Sequence, residues 1–399
     1  MTTTHKHQIV IVGGGTAGIT VAAQLQRKHQ DRNFDIVIIE PSEKHYYQPM
    51  WTLVGGGIFP KEKSCRDEKD YIPQNVKWLK EKVVGFHPTD NFIELGSGDK
   101  VAYEFLIVCP GIQIDWHKID GLTDTLGKNG VCSNYSYETV HKTWENIHSL
   151  KEGVALFTQP GMPIKCAGAP QKALYLAEDY FRKNNLRNKV DVQFALAGPR
   201  IFGVEKYRNA LEHVLERKEI NPFYEHNLIA VRGESKEAIF MDLKNQKEVV
   251  KKFDMLHAVP PMSSPDFIKQ SQIADKDGWV DVDKYTTQHN TFKNIFSLGD
   301  ASSLPTSRTG AAIRKEAPVL VENLISYMDG KPLNAKYDGY SSCPIVTGYG
   351  SLILAEFDYD GTPAETFPFD QAQERYSMYL LKLYGLPLLY WEGMLKGRA

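Results

Sequence analysis

Apolar residues run consecutively in two short stretches near the start of the chain. The first stretch lies in HQIVIV at 7–12, and it is followed by a glycine-rich turn and by ITVAAQL, whose apolar residues recur at helical spacing. The second stretch, FDIVII at 34–39, ends at Glu40. Consecutive apolar residues are typical of strands buried on both faces, so the pattern predicts a β-α-β unit of a parallel sheet.

The turn of this unit has the spacing G-x-G-x-x-G, which Gly13, Gly15 and Gly18 provide. Gly13 permits the tight turn, Gly15 lets the backbone approach a pyrophosphate, and Gly18 allows the helix to pack closely on the strand. The helix N-terminus favours phosphate, and Glu40 can accept hydrogen bonds from ribose hydroxyls. The unit therefore predicts a dinucleotide site, with a glycine-rich turn that binds nothing as the alternative.

Two later apolar strands decide which dinucleotide is expected. YEFLIVCPG at 103–111 ends at Gly111, and NTFKNIFSLGD at 290–300 ends at Asp300. This pair resembles two marks of the flavoproteins with two dinucleotide-binding domains, in which the late aspartate binds the ribityl chain of FAD. A helix that begins near Thr309 would direct its N-terminus at the flavin ring and stabilise the reduced anion. These strands predict FAD; a turn cap is the alternative role for Asp300.

A second strand-turn-helix pattern occupies 190–217, but its turn, AGPRIFG, lacks the glycine spacing. Pro199 and the bulky Ile201 and Phe202 would obstruct a pyrophosphate. We therefore expect a second Rossmann-like domain that does not bind a nicotinamide cofactor. The stretch 233–257 alternates strand and turn signals and predicts a β-ribbon.

These patterns together predict an α/β fold with two Rossmann-like domains of the three-layer FAD/NAD(P)-binding type. A C-terminal module follows them, and the family resemblance described below implies that it is a membrane-facing module. The FAD domain is expected to be discontinuous, at 1–115 and 280–330. The second domain is expected at 116–279 and the C-terminal module at 331–399.

Composition and charge exclude several classes of protein. The 399 residues have a formal net charge of -2 and no basic stretch with interleaved aromatics, so we expect no nucleic-acid partner. Five cysteines without regular spacing do not indicate a secreted disulfide scaffold or a metal site. No apolar run approaches the ~20 residues of a membrane span. Because the strand pattern begins by about residue 8, we expect no targeting peptide and a reducing, cytoplasmic compartment.

Cys166 lies in the loop PIKCAGAP, directly before the helical pattern QKALYLAEDYF. The positive end of that helix, together with Lys165, would lower the pKa of the Cys166 thiol. Cys343, in YSSCPIV, is likewise flanked by proline and small residues. Neither cysteine belongs to a C-x-x-C motif, and a cysteine of this kind taken alone is most often a small buried residue.

Longer stretches around these cysteines resemble the sulfide:quinone oxidoreductases, in particular the group that includes the mitochondrial enzyme. The resemblance runs from about residue 8 to about residue 395, and it is carried by KHYYQPMWTLVGGG, CSNYSYETVHKTWENI, PIKCAGAPQKALYLAEDYFRK and KYDGYSSCPIVTGYG. It implies that Cys166 and Cys343 form a redox-active pair beside the flavin, joined by a disulfide or polysulfide bridge that HS⁻ attacks. It further implies that two electrons pass through FAD to ubiquinone or menaquinone.

The resemblance also implies partners and a location. Sulfane sulfur would pass from Cys343 to a small thiol acceptor, which is glutathione, coenzyme A or sulfide itself. A bacterial enzyme would sit peripherally on the cytoplasmic face of the inner membrane, and a eukaryotic one on the mitochondrial inner membrane. The resemblance leaves open whether the chain forms a homodimer.

Further flavin contacts are carried over from the family. Some bacterial relatives attach the flavin through a third cysteine near the position of Cys132, but we expect noncovalent FAD here. Cys109 is interpreted as a packing residue at the end of a strand. The remaining cofactor positions are Ile19, Gln48, Val83, Gly111, Arg308, Thr309, Gly310 and Ala311.

The C-terminal stretch is aromatic and apolar, with Lys382, Lys396 and Arg398 beside it. If the chain reduces a quinone, as the resemblance implies, this stretch is expected to lie in the membrane interface and to meet the quinone there. A packed helical hairpin and a dimer contact are the alternatives. The quinone-site candidates are Tyr349, Phe357, Tyr384 and Trp391.

Two other functions compete with this hypothesis. A type II NADH:quinone oxidoreductase would need a nicotinamide site, which AGPRIFG disfavours, and would not need two cysteines. A non-catalytic flavin-binding redox sensor would not need a quinone-facing segment. A flavocytochrome sulfide dehydrogenase subunit is a variant of the first hypothesis, but it would be exported.

Overall fold

A computed structural model describes residues 4–399, and its first part alternates strands with few helices. In chain order this part contains β1 (Thr4–Val12), α1 (Thr16–Lys28), β2 (Ile36–Ile39), β3 (Lys44–Tyr46), α2 (Trp51–Gly55), β4 (Cys65–Asp67), β5 (Val76–Leu79), β6 (Val83–His87), β7 (Phe92–Leu95), β8 (Lys100–Val108) and β9 (Gln113–Ile114).

The middle of the chain adds more helices between its strands. It contains α3 (Leu122–Thr125), β10 (Val131–Cys132), α4 (Val140–Ser149), β11 (Gly153–Gln159), α5 (Ala169–Lys183), β12 (Val190–Leu196), α6 (Glu205–Arg217), β13 (Pro222–Phe223), β14 (His226–Arg232), β15 (Glu237–Asp242), β16 (Lys247–Lys252), β17 (Met255–His257), β18 (Met262–Ser263) and α7 (Asp266–Lys269). The last part contains β19 (Ile295–Ser297), α8 (Gly310–Met328), β20 (Ser341–Gly348), β21 (Ser351–Phe357), α9 (Tyr376–Leu380) and α10 (Leu386–Leu388).

The first sheet has the strand order β5-β2-β1-β8-β7-β6, and β19 also pairs with β8. Strands β5, β2, β1, β8 and β19 run parallel, which is why their apolar residues are consecutive: both faces are covered. Helices α1 and α8 pack against each other on one face. The chain leaves this sheet after β8 and returns to it at β19, so its carboxyl ends collect residues from both parts of the sequence.

The second sheet is parallel as well, with the order β10-β17-β11-β12-β13. Strands β14, β15 and β16 form the separate antiparallel ribbon that the sequence predicts. At the turn after β12, Ile201 and Phe202 are buried, and Gln171 donates a hydrogen bond to the Ile201 carbonyl. The bulky pair of AGPRIFG therefore packs into the core of this half. The α/β architecture with two Rossmann-like sheets agrees with the sequence; the exact domain boundaries stay a prediction.

The C-terminal part spans both halves. The hairpin of β20 and β21 packs against α5, and π-helical turns at Leu381–Gly385 and Leu389–Gly393 flank α10. The end of the chain then returns to α1, where Gln24 donates a hydrogen bond to the Ala399 carbonyl. In the described residues, no helix combines the length and the apolar character needed to cross a bilayer.

Candidate active site

Cys166 and Cys343 meet although 177 residues separate them in sequence, and their Sγ atoms lie 3.5 Å apart. Strand β20 directs Cys343 towards α5, and the loop before α5 presents Cys166. A covalent S–S bond is about 2.05 Å long, so the two thiols are free but in contact. A small movement or one inserted sulfur atom would bridge them.

Gly168 makes this approach possible. A Cβ atom at this position would lie 2.6 Å from the Cys343 sulfur, which is closer than any real side chain tolerates. The Cys166 amide donates to the Arg308 carbonyl, so the sulfur-bearing loop is also fastened to the segment before α8. Packing and backbone hydrogen bonds together hold the two sulfur atoms in contact.

Lys172, one turn into α5, donates a hydrogen bond from Nζ to the Cys166 sulfur at 3.2 Å. The pKa of the Cys166 thiol is held well below its usual range, first by the hydrogen bond with Cys343 and then by the charge of Lys172. The pKa of Cys343 is raised well above its usual range, because its thiol donates that hydrogen bond and is buried. Cys166 is therefore the thiolate of the pair and Cys343 the thiol.

The prediction that the charge of Lys165 lowers the pKa of the Cys166 thiol is wrong. The Lys165 ammonium lies 2.8 Å from the Asp300 carboxylate, and Lys172 supplies the positive charge at the sulfur. The sequence contained a signal for this. Lys172 interrupts the apolar face of the helical pattern that follows the cysteine loop, and a lysine on a buried face needs a nearby anion.

A second buried lysine was also missed. Lys382 was expected at a membrane surface, but only 3% of it is exposed, and its Nζ donates to the Pro49 carbonyl at 3.0 Å. Burial, and then repulsion from Lys172, lowers the pKa of Lys382 to about 7. No sequence signal indicated this burial, because Lys382 lies among aromatic and apolar residues that were themselves expected to be exposed.

These groups share one cavity of about 340 Å³. Cys166, Lys172 and Lys382 line it on the sulfur side. The cofactor positions predicted from the family that also line it are Gln48, Arg308, Thr309, Gly310 and Ala311. Asp300 lies beside it, since its carboxylate pairs with Lys165 and its carbonyl accepts a hydrogen bond from Arg308.

The glycine-rich turn has the features that a dinucleotide pyrophosphate requires. Gly13 has a φ of +104°, and a Cβ atom there would lie 2.6 Å from the Cys109 carbonyl oxygen. A Cβ atom at Gly15 would meet nothing within 4 Å, so the turn is open where a phosphate would approach. No side chain caps the first amides of α1, which leaves them free for an anion. These residues fit an FAD molecule.

The other cofactor positions surround this turn. Glu40 accepts hydrogen bonds from the backbone amides of Gly14 and Ser42, so its carboxylate is fixed at the end of β2. Ile19 is buried in α1, Val83 begins β6, and Gly111 follows β8 with a φ of +86°.

The four aromatic quinone candidates lie elsewhere. Tyr349 donates to the Gly56 carbonyl, Phe357 packs on Phe202, and Trp391 packs among His45 and neighbouring rings. Tyr384 is 62% exposed. The cavity wall is formed instead by the side of the β20–β21 hairpin opposite Cys343, with Ser342, Pro344, Leu354 and Glu356. Strand alternation around Cys343 was the signal for this wall.

Cys132 is fully buried in the second sheet, where its thiol donates to the Leu256 carbonyl. Burial raises its pKa to about 12, so it has little thiolate character. Cys109 is buried at the end of β8 against the Gly13 carbonyl. Cys132 does not line the cavity, although Asn134, two residues further along the chain, does.

Comparisons with known proteins place this geometry in a family. The family described as pyridine nucleotide-disulphide oxidoreductase matches residues 7–315. A mitochondrial sulfide:quinone oxidoreductase of Dictyostelium discoideum is 51% identical over 393 residues, which cover 98% of this chain and 86% of the relative. One of Mus musculus is 46% identical over 398 residues, covering 99% and 88%. The chain belongs to the sulfide:quinone oxidoreductases.

The same fold occurs in a solved sulfide:quinone oxidoreductase from the hyperthermophilic bacterium Aquifex aeolicus. Its structure matches with a TM-score of 0.82 at 18% identity, covering 98% of this chain and 92% of that one. Membership of the sulfide:quinone oxidoreductases confirms the family, the flavin-dependent oxidoreductase class and the FAD cofactor that the sequence predicts.

Proposed function

We propose that this chain oxidises hydrogen sulfide at Cys166 and Cys343 and that two electrons pass through FAD to a membrane quinone. The observation that carries the proposal is the 3.5 Å contact between the Cys166 and Cys343 sulfur atoms, of which Cys166 lines the cavity together with the cofactor residues. Two thiols at this distance can cycle between a reduced pair and a sulfur bridge, which is the electrophile that a soft nucleophile such as HS⁻ requires.

The two sulfur atoms have different roles in this proposal. HS⁻ attacks the Cys343 sulfur of the bridge, a new S–S bond forms there, and Cys166 leaves as a thiolate. Cys166 is the better leaving group because its pKa is the lower of the two, and the Lys172 ammonium holds the resulting charge. A small thiol (glutathione or coenzyme A) or a second sulfide then removes the sulfane sulfur from Cys343.

FAD supplies the two-electron acceptor between sulfur and quinone. We propose that the chain holds its pyrophosphate at the α1 turn, its ribose at Glu40, and its ribityl chain and ring near Asp300 and the start of α8. The full set of proposed cofactor residues is Gly13, Gly15, Gly18, Ile19, Glu40, Gln48, Val83, Gly111, Asp300, Arg308, Thr309, Gly310 and Ala311.

For the quinone we propose the wall of the cavity that faces away from the cysteines. Its apolar surface comes from Leu354 and Phe367, and Ser342 adds a polar group. This combination suits a quinone ring. Glu356 is held there by Tyr340, Thr366 and Gln371. This wall replaces Tyr349, Phe357, Tyr384 and Trp391 as the site for a quinone.

A quinone dissolved in lipid requires that the enzyme meet the bilayer. Tyr376, Leu380, Tyr384 and Leu388 are exposed at intervals of four residues along the C-terminal segment, and they form a row that could lie in the interface. The membrane would be the cytoplasmic face of a bacterial inner membrane or, as the designations of the relatives favour, the mitochondrial inner membrane. The division into an FAD domain, a second domain and this C-terminal module belongs to the same proposal.

Anaerobic stopped-flow spectroscopy of the FAD-loaded enzyme tests the function. Sulfide should bleach the flavin and support quinone reduction, whereas NADH should do neither. Cys166→Ser and Cys343→Ser should each abolish sulfide-dependent quinone reduction and still retain FAD, while Cys65→Ser should behave like the unaltered enzyme. Full turnover in either Cys166→Ser or Cys343→Ser would contradict the proposed mechanism.

A further inference from the structure

Lys382 is an unusual group to find in a redox cavity. In the part of the chain that the structure describes, no carboxylate pairs with it, and its ammonium donates to the Pro49 carbonyl. An unpaired lysine is among the least favourable side chains to bury, so its retention inside a reactive cavity indicates a chemical task.

The two buried lysines of the cavity differ in their partners. Lys172 contacts the Cys166 thiolate, whose charge outweighs the cost of burial and raises the pKa of Lys172. Lys382 faces Lys172 as well as Cys166 and Cys343, but it touches neither sulfur. Burial, and then repulsion between the two ammonium groups, lowers the pKa of Lys382, which has no anionic contact to offset them. Lys172 stays charged, and Lys382 can exist as a neutral amine.

The sulfide reaction produces a proton that needs an acceptor. When HS⁻ attacks the bridge, an S–S bond to Cys343 forms, the bond between Cys343 and Cys166 breaks, and its electron pair stays on Cys166. The persulfide on Cys343 still carries the hydrogen of HS⁻. Its ionisation releases one proton into a cavity that now holds two anionic sulfur atoms.

We propose that the Lys382 amine accepts this proton, and this proposal rests on the proposed sulfide chemistry of the same cavity. The new negative charges on sulfur favour the ammonium form, so the proton stays on Nζ while the sulfur atoms are anionic. Lys382 contacts Pro49, the neighbour of the proposed cofactor residue Gln48, and it lines the same cavity as Gln48 and Cys166. The proton is then available when the electron pair leaves sulfur, since two-electron reduction of a flavin consumes one proton.

The decisive variant is Lys382→Arg, because arginine keeps the positive charge but does not deprotonate in proteins. The measurement is the rate of flavin bleaching by sulfide, across the neutral pH range and expressed per concentration of HS⁻, since sulfide itself ionises there. In the unaltered enzyme this rate should rise with pH through about 7, as Lys382 becomes neutral, and then level off. In Lys382→Arg the rise should vanish and the rate should fall about a hundredfold, the usual effect of losing a general base.

Two companion variants keep the test interpretable. Lys396→Arg alters an exposed lysine of the same segment, paired with Glu392, and should leave the pH profile unchanged. Lys382→Gln retains a hydrogen-bond donor for the Pro49 carbonyl. Its rate of flavin bleaching by sulfide should fall as it does in Lys382→Arg, whereas its FAD content and melting temperature should match those of the unaltered enzyme.

The possible results separate this proposal from the proposed function. If sulfide fails to bleach the flavin of the unaltered enzyme, the proposed sulfide oxidation itself is overturned. If sulfide bleaches it and Lys382→Arg keeps both the rate and the rise with pH, then only the positive charge matters and the proton-acceptor role is overturned. Partial recovery of a Lys382→Ala variant by a small primary amine would support the role, because the added amine restores an acceptor without restoring the side chain.

Discussion

At the scale of single residues, two chemically identical thiols differ because of one hydrogen bond and one ammonium. Cys343 donates to Cys166, and Lys172 donates to Cys166 from the other side, so all the negative charge collects on one sulfur. Buried ions are costly unless they are paired, and this pairing is what allows a thiolate to persist inside the protein.

The removal of Lys172 should therefore change the acidity of Cys166 directly. In Lys172→Met the pKa of the Cys166 thiol should rise, so at neutral pH less thiolate is present and alkylation of the reduced enzyme by iodoacetamide should slow about tenfold. Mass spectrometry of Cys166 at a series of pH values gives the midpoint, which should move upward.

Lys183→Met is the matched control, because this lysine lies at the exposed end of the same helix and pairs with Asp179. It should leave the alkylation profile of Cys166 in place. An unchanged midpoint in Lys172→Met would mean that Cys343 alone sets the charge of its neighbour.

At the scale of elements, helix α5 and strand β20 build the site together. The loop before α5 carries Cys166, the first turn of α5 carries Lys172, and β20 directs Cys343 to one face and Ser342 to the other. Strand β20 thus contributes Cys343 to the contact between the sulfurs and Ser342 to the cavity wall proposed for the quinone, and the close approach of strand and helix depends on Gly168.

A methyl group at that glycine should separate the two cysteines. Gly168 has a φ of -91°, so alanine suits the backbone there, and the effect of Gly168→Ala is steric. Its Cβ would displace the Cys343 sulfur, so formation of the Cys166–Cys343 bridge by a mild oxidant should fall at least about tenfold, with a loss of about 1–3 kcal/mol in unfolding free energy.

Thiol titration after oxidation and urea unfolding measure these two effects. Gly161→Ala, in the same loop, is the control, since a Cβ atom at that position would meet nothing within 4 Å. Equal bridge formation in both variants would show that the contact between the sulfurs tolerates the added methyl group.

The same elements show how far a sequence can be interpreted. The β-α-β unit was predictable, because consecutive apolar residues and a glycine spacing are local signals. The pairing of Cys166 with Cys343 came only from resemblance, since nothing local links residues so far apart. Lys172 and Lys382 were missed because lysine burial depends on anions and neighbours that only the folded chain assembles. The aromatic quinone candidates stay a prediction, because an aromatic residue in the right region is as readily a packing residue.

At the scale of the whole molecule, the C-terminal segment joins surface and interior. Its row of Tyr376, Leu380, Tyr384 and Leu388 faces outward, whereas its last residues pack on α1. An exposed apolar row on an otherwise well-packed protein indicates a partner surface, and a bilayer fits an enzyme of this family that uses a quinone.

Charged substitutions in this row should weaken membrane binding without disturbing the chemistry. Tyr376→Glu and Leu388→Glu should each reduce cosedimentation with liposomes by about tenfold, because each removes a large apolar side chain from the interface. Reduction of a water-soluble quinone by sulfide should continue.

The control is Val250→Glu, which places the same charge at an exposed apolar residue of β16. Its liposome binding should match that of the unaltered enzyme. If the two C-terminal variants sediment equally well, the row has another partner.

The turn Leu381–Gly385 has Lys382 on its inner side and Tyr384 on its outer side, two residues apart. Because both residues belong to the same helical turn, a contact that displaces the Tyr384 side chain from outside also moves the Lys382 amine inside the protein. If the outer row binds lipid and Lys382 accepts the proton, as we propose, then lipid composition and detergent become variables of the acid–base chemistry as well as of attachment. Kinetic constants measured in detergent micelles would then differ from those measured in lipid vesicles, because the position of the Lys382 amine would differ.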